Sequence, residues 1–170
     1  FDRLSVFKSV KEDNDISVFG LVSAKRTWRY IKRCYIDDSN EQLNKWKVLL
    51  PKSNGSGTLG ELLSTPLIAK PLEGYTQTFI GIGAFETEED AQAAYKYVVS
   101  KFARTMLGIL KITQDNPPEK WKYVPLQDFT MSSDIDWSQS ISSIDLQLYD
   151  KDGLSEGERN FIETHVKEMD

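Results

Sequence analysis

The sequence has one cysteine and one histidine in 170 residues. With Cys34 alone no disulfide can close within the chain, and with His165 alone the usual zinc ligand sets cannot be assembled. Serine-histidine or cysteine-histidine chemistry would have to use that one ring. "FIETHVKEM" places it beside Phe161 and Ile162 at helical spacing, as a residue on a helix face. Cys34 reads as a buried or half-buried structural thiol. Long apolar runs are also missing: none approaches the roughly 20 residues of a membrane helix, and no basic-apolar-small leader pattern is present. No membrane partner and a cytoplasmic location are therefore expected. The first residue is Phe1 rather than Met, and the stretch after it already has strand character, so a piece of a longer polypeptide is expected.

Acids are in excess, with a formal net charge of −5, but they are unevenly spread. In residues 21–52 eight Lys or Arg face three acids, in residues 96–126 six face two, and in residues 127–170 three face eleven. A net value would argue against nucleic acid; two basic regions ahead of an acidic end do not. Apolar residues make up 39 %, which at this length suffices for one folded unit with a real core. The charge change near Gln127 is the only sign of subdivision. It separates residues 1–126, sheet plus long helix, from residues 127–170, an acidic helical tail packed on the same domain or on a parent enzyme.

"DISVFGLVSA" and "TWRYIKRCYI" alternate apolar and polar residues and are rich in β-branched and aromatic side chains, as half-buried strands are. "KWKVLLP" predicts a third strand closed by Pro51, and "GYTQTFIGIG" a fourth, with Tyr75, Gln77 and Phe79 alternating and Gly81 and Gly83 weakening its end. Then the period changes. "TEEDAQAAYKYVVSKFARTMLGILK" opens on Thr87 and Asp90 as a capping-box variant and carries an apolar stripe through Ala91, Ala94, Tyr95, Val98, Phe102, Met106 and Leu110. This predicts one long helix with Lys96, Lys101, Arg104 and Lys111 left to the remaining surface. "TQDNPPEKW" ends it. Two further helices are expected, around Ser138 to Tyr149 with Gly153 as its stop, and after Ser155, which forms a capping box with Glu158. The fold class is α+β: a mixed or antiparallel sheet of about five strands in the first half, one long packed helix and a C-terminal helical tail.

Three short motifs resemble cofactor sites and fail on scaffold. Gly55 to Gly60 spells G-x-G-x-x-G, but only "ELLS" follows before Thr65-Pro66, too short for the helix and parallel crossover of a dinucleotide site. "FIGIG" is similar to the turn that holds S-adenosylmethionine in DNA methyltransferases, and "DNPPEK" resembles the Asn-Pro-Pro-aromatic motif of amino-methyltransferases. In the latter Glu119 replaces the stacking ring, and one helix alone separates two motifs that need several βα units of about 30 residues between them. They read as a strand end and a helix-terminating turn. Asp134 and Asp136 lack the partner set of a metal nuclease, and Ser133 or Asp136 reads as a helix cap. No catalytic set and no metal site is predicted.

Longer stretches carry a resemblance: "LNKWKVLLPKSNGSG", "LSTPLIAKP", "TQTFIGIGAFETEEDAQAAYKYVVSKFARTMLGILKITQDN", "YVPLQDFT", "SDIDWSQSI" and "IDLQLYDKDGLSEGERNFIETHVKEM". Together, over roughly residues 16–170, they resemble the C-terminal target-recognition region of bacterial restriction-modification proteins built on an adenine-N6 DNA methyltransferase. The resemblance implies a domain that binds double-stranded DNA. The methyltransferase core, with S-adenosylmethionine, would lie upstream in a parent chain, and no cofactor would belong to this segment. Docking to that core or to a nuclease partner, through the acidic helices with Trp137, Ile144 and Leu148, is the alternative role.

Such a domain must hold phosphates and present side chains to base edges. "AKRTWRYIKR" offers Lys25, Arg26, Arg29, Lys32 and Arg33 with Trp28 and Tyr30 interleaved. On a strand, Arg26, Trp28, Tyr30 and Lys32 share one face and Lys25, Arg29 and Arg33 the other, so a bend or a free edge is expected to bring the strip to the duplex. The glycine loop adds Lys52 with small donors Ser53, Asn54, Ser56 and Thr58, and its glycines permit close backbone approach to an anion. The DNA-binding residues expected are thus Lys25, Arg26, Arg29, Lys32, Lys52, Ser53, Asn54, Ser56 and Thr58.

Overall fold

The computed structural model describes residues 3–39, 41–53, 59–110, 115, 117–122 and 124–169. The alternating first segment forms a hairpin: β1 (Asp15–Val22) pairs antiparallel with β2 (Lys25–Lys32), from Asp15 opposite Lys32 to Val22 opposite Lys25. β2 stops earlier than the pattern predicts, because residues Arg33–Tyr35 turn as a 3-10 segment. Cys34 in that turn is exposed, not the buried or half-buried thiol expected. Only Ser23 and Ala24 join the two strands, with φ of 48° and 63°. Positive φ at both positions matches the twist of a two-residue hairpin, but neither residue is the glycine or asparagine that favours it. Ala24→Gly is therefore expected to stabilise the protein by about 0.5 to 1 kcal/mol, read in the denaturant midpoint. No gain would mean that the turn is unstrained.

Among the described residues the first half holds two three-stranded sheets rather than one sheet. β3 (Trp46–Pro51), β4 (Leu67–Ala69), β5 (Glu73–Tyr75) and β6 (Phe79–Phe85) complete the orders β2-β1-β5 and β4-β3-β6. The first sheet is mixed, since β5 runs parallel to β1, and the second is antiparallel. The stretch that reads as a fourth strand is thus split between sheets. The Phe79 amide donates to the Thr76 carbonyl at 2.9 Å, closing a corner. Alternation hid the corner because Tyr75 and Phe79 enter the same core from different sheets, with Phe19, Leu49 and Ala69.

β3 is buried on both faces, which is why its apolar run is continuous. Leu49 faces the core between the sheets, while Leu50 joins Ile80, Val98 and Leu107 beneath the helices. "FIGIG" lies inside β6, not at its end. Between the pairs Trp46 with Phe85 and Val48 with Ile82, β6 carries one residue more than β3, and Gly83 adopts φ 76° there, with the Phe85 ring where a Cβ would stand. That is a bulge that only glycine fits.

The long helix is two. α1 (Glu88–Val99) ends and α2 (Lys101–Leu110) begins at Ser100, whose ψ of 151° is extended. Ser100 Oγ accepts from the Ala103 amide at 3.1 Å, and the buried Asp145 carboxylate accepts from the Lys101 and Phe102 amides at 3.1 and 2.8 Å. The free amides of a new helix are thereby satisfied. Burial pushes the Asp145 carboxyl up to about 6 against these bonds. A residue 45 positions downstream sets the break, so local periodicity could not reveal it.

α3 (Pro118–Trp121), α4 (Ile141–Lys151) and α5 (Glu156–His165) follow. Pro118 opens α3 at the position where a missing amide costs nothing, so the prolines begin a short helix after α2. Ser140 caps α4, in place of Ser133 or Asp136; Asp136 instead accepts from the Ser138 amide and hydroxyl in a local turn. The Ser155 and Glu158 capping box of α5 is present, and Gly153 has φ 66° after α4. Tyr97, Phe102 and Ala103 share one core with Ile144, Leu148, Tyr149 and Ile162, so the acidic tail packs directly on α1 and α2. Among the described residues no helix is long and apolar enough to cross a membrane.

Candidate nucleic-acid interface

Many cations of the two basic regions face inward or are paired. Lys96 Nζ donates to the carbonyls of Trp137, Ser138 and Gln139 at 2.7 to 3.3 Å. Lys101 pairs with Glu163 at 2.5 Å. Arg104 is buried; its guanidinium donates to the carbonyls of Val99 (3.0 Å), Ser100 (3.3 Å), Glu61 (3.4 Å) and Lys167. None of the three is left to the surface, contrary to the helical-stripe expectation; Lys111 lies outside the described residues. In the first region Arg33 pairs with Asp38 and Lys45 with Glu86.

Lys47 was missed by sequence reasoning. It is 1 % exposed on β3, and its ammonium donates to the carbonyls of Gln42, Lys45 and Lys70 at 2.9, 2.8 and 3.2 Å. Burial pushes it down to about 8, with Glu73 and Asp38 pulling the other way. All three protons are engaged, so in its charged form Lys47 is a strap between chain segments and offers nothing to a ligand. Its place in the same strand phase as Leu49 was the available signal.

β2 divides the predicted strip as alternation requires. On one face Trp28 packs on Phe19 with ring centroids 4.9 Å apart, and Arg26 lies 6.0 Å above the Phe79 ring while donating to the Thr65 carbonyl at 2.6 Å. On the other face Ile31 joins Ile16, Val18 and Leu43 in a second small core. Both faces therefore carry core. Lys25 is exposed, and half-buried Arg29 makes one local bond to the Trp28 carbonyl at 3.2 Å. Lys32 is exposed at the opposite end, about 23 Å along the strand from Lys25. It lies across from Asp15, which Lys8 binds at 2.7 Å and holds below the usual carboxylate range.

The near end of the strip meets the start of the glycine loop. Phe79, beneath Arg26, pairs with Pro51, and the next residue, Lys52, donates its amide to the Thr78 carbonyl at 2.9 Å. Lys52 and Ser53 are exposed there, and Ser53 bridges to Asp115, which sets an acid beside the loop entrance. Asn54, Ser56 and Thr58 lie outside the described residues. The loop exit is fixed. Gly60, at φ 72°, has Val166 and the His165 carbonyl where a Cβ would stand, and the Leu63 amide meets the Met169 sulfur at 3.3 Å. The structure thus brings Arg26 to the same end as Lys52 and Ser53, with Lys25 next to Arg26 in the chain but on the other face of β2, and leaves Lys32 away from them.

Among the described residues Lys25, Lys32 and Lys52 have no ion-pair partner, and no group of acids, Cys and His is placed to hold a metal ion. Compared with protein-family models, curated proteins and solved structures, the chain finds no match in any of the three.

Proposed function

We propose that this chain is a double-stranded DNA recognition domain of a restriction-modification enzyme. It would position the target for base methylation or cleavage carried out elsewhere in the parent polypeptide, whose methyltransferase core would bind S-adenosylmethionine. The resemblance of the quoted stretches to target-recognition regions supports this reading. The observation that carries it is one of charge. Residues 16–36 contain five cations and no carboxylate, and Lys25, with Lys52 at the same end, is exposed and unpaired among the described residues. Phosphate contact by such groups binds duplex with a strong salt dependence.

The test is a salt titration of duplex binding. Neutralising Lys25, Arg29 and Lys52 together to Gln should flatten the log-log salt slope by about three units, about one per lost phosphate contact. Lys32→Gln, at the far end of β2, should change it less. Equal slopes for wild type and the triple variant, with the fold intact, would remove these residues from the interface. A map of protected or methylated sites made with the parent enzyme would then supply the sequence read.

The second reading, docking to the methyltransferase core or a nuclease subunit, is compatible with the first. Ile144 and Leu148, expected at such a contact, are instead buried against α1 and α2, and what favours the reading is the exposure of Leu126 and Met131 and the acidity of residues 127–170.

A further inference from the structure

We infer that the β1–β2 hairpin is the element that enters the duplex, as a two-stranded ribbon in the major groove. Lys25, Thr27 and Arg29 would face the DNA, and Arg26 would act as a positioning residue. The inference rests on the DNA-binding reading above and names the part of that site that would do the reading.

The helices are poor readers. α1 opens with Glu88, Glu89 and Asp90, α5 with Glu156 and Glu158, and the cations Lys101 and Arg104 of α2 are engaged internally. The hairpin is the opposite case. It is regular to its last pair, Val22 with Lys25, and its tip consists of Ser23 and Ala24, both exposed and too small to block entry. From Thr27 to the tip it extends about 10 Å, comparable with a major groove about 8.5 Å deep and about 12 Å wide, which admits a two-stranded ribbon. Residues of αL backbone without glycine concentrate where structure serves a function, and this tip has two in succession.

Alternation then assigns roles that the strip alone could not. Arg26 is turned toward the body, bound to the Thr65 carbonyl and lying over Phe79, which orients the hairpin against the second sheet. Lys25, Thr27 and Arg29 point from the other face; half-buried Arg29 stands opposite Val18 at the edge of the second small core, and Thr27 and Lys25 lie beyond it toward the tip. Lys52, at the exit of β3, is placed to meet a flanking phosphate.

The chain has one cysteine, which makes the test direct. An iron-EDTA cleavage reagent is attached through Ala24→Cys in a Cys34→Ser background, and separately through the native Cys34 beyond the far end of β2. Each is mixed with duplex of varied sequence at low salt. The tip label should cut both strands with a stagger toward their 5′ ends, the mark of a source in the major groove, and the Cys34 label should cut several-fold less. Arg26→Gln should spread the cuts of the tip label over more base pairs without flattening the salt slope, whereas Lys25→Gln and Arg29→Gln should each flatten it by about one unit. Strong cutting from Cys34, or a 3′ stagger from the tip, would overturn the ribbon while leaving DNA binding intact. Failure of the unlabelled chain to shift any duplex would overturn the binding reading itself, and the ribbon with it.

Discussion

Lys47→Met is expected to cost about 3 to 5 kcal/mol of folding stability, seen as a large fall in denaturant midpoint. Methionine matches the volume of the buried stem but donates nothing. The carbonyls of Gln42, Lys45 and Lys70 then lose a charged donor each of them shares, in a place water reaches poorly. Two turns lose their tie to β3 at once: the one ahead of it, and the Lys70–Glu73 turn where Leu72 holds φ 64°. A pH series adds a second, independent reading. Burial lowers the folded-state value to about 8 from the ordinary 10.5. A lysine depressed in this way contributes stability that is present above its unfolded value and lost as pH falls through the folded one. Wild type should therefore gain stability between pH 8 and about 10 in a way Lys47→Met does not, and the gap between them should widen. A gap that narrows would show that the three carbonyls outweigh burial and hold the charged form, and a variant as stable as wild type at pH 7 would show that the strap is not formed.

Arg104→Met is expected to cost about 3 to 4 kcal/mol and to free the segment after α5 that carries Lys167 and Met169. The guanidinium joins four backbone carbonyls from three places: the end of α1, the exit of the glycine loop at Glu61, and Lys167 after α5. Burial also lowers its proton affinity, with the Asp145 and Tyr149 side chains acting against that. Amide exchange should accelerate most at Leu63 and Val166, on the two segments it ties together. Arg104→Lys should rescue little, because a single ammonium cannot span carbonyls set out for the donors of a planar fork. If exchange rises uniformly over the protein instead, Arg104 serves the core at large and not this junction.

Both effects concern basic residues that a composition reading counts as surface charge. The net positive balance of residues 96–126 pointed to a second basic face, yet Lys96, Lys101 and Arg104 are spent on carbonyls and carboxylates. Cations have many partners within a fold, and nothing in a run of letters separates a carbonyl 43 positions away from a phosphate. The basic strip on β2 fared better, because β alternation is local: the opposition of Arg26 to Lys25 and Arg29 follows from the order of residues alone. What was not readable was which face meets the body.

Local order, then, was determined by the sequence itself. Periodicity of two placed β1 and β2, and a short apolar run closed by Pro51 placed β3; helical spacing with Thr87 and Ser155 as caps placed the starts of α1 and α5; together they made the class α+β. These signals come from neighbours within one or two turns of chain, where backbone geometry leaves few choices. Tertiary structure alone decided the rest: the corner between Tyr75 and Phe79 that makes two sheets of one, the break at Ser100 imposed by Asp145, and the inward fate of Lys47 and Arg104. Each depends on a partner far along the chain, and burial gives such a partner its weight. In a low-dielectric interior an amide, a carbonyl or an ammonium must find a match wherever the fold supplies one.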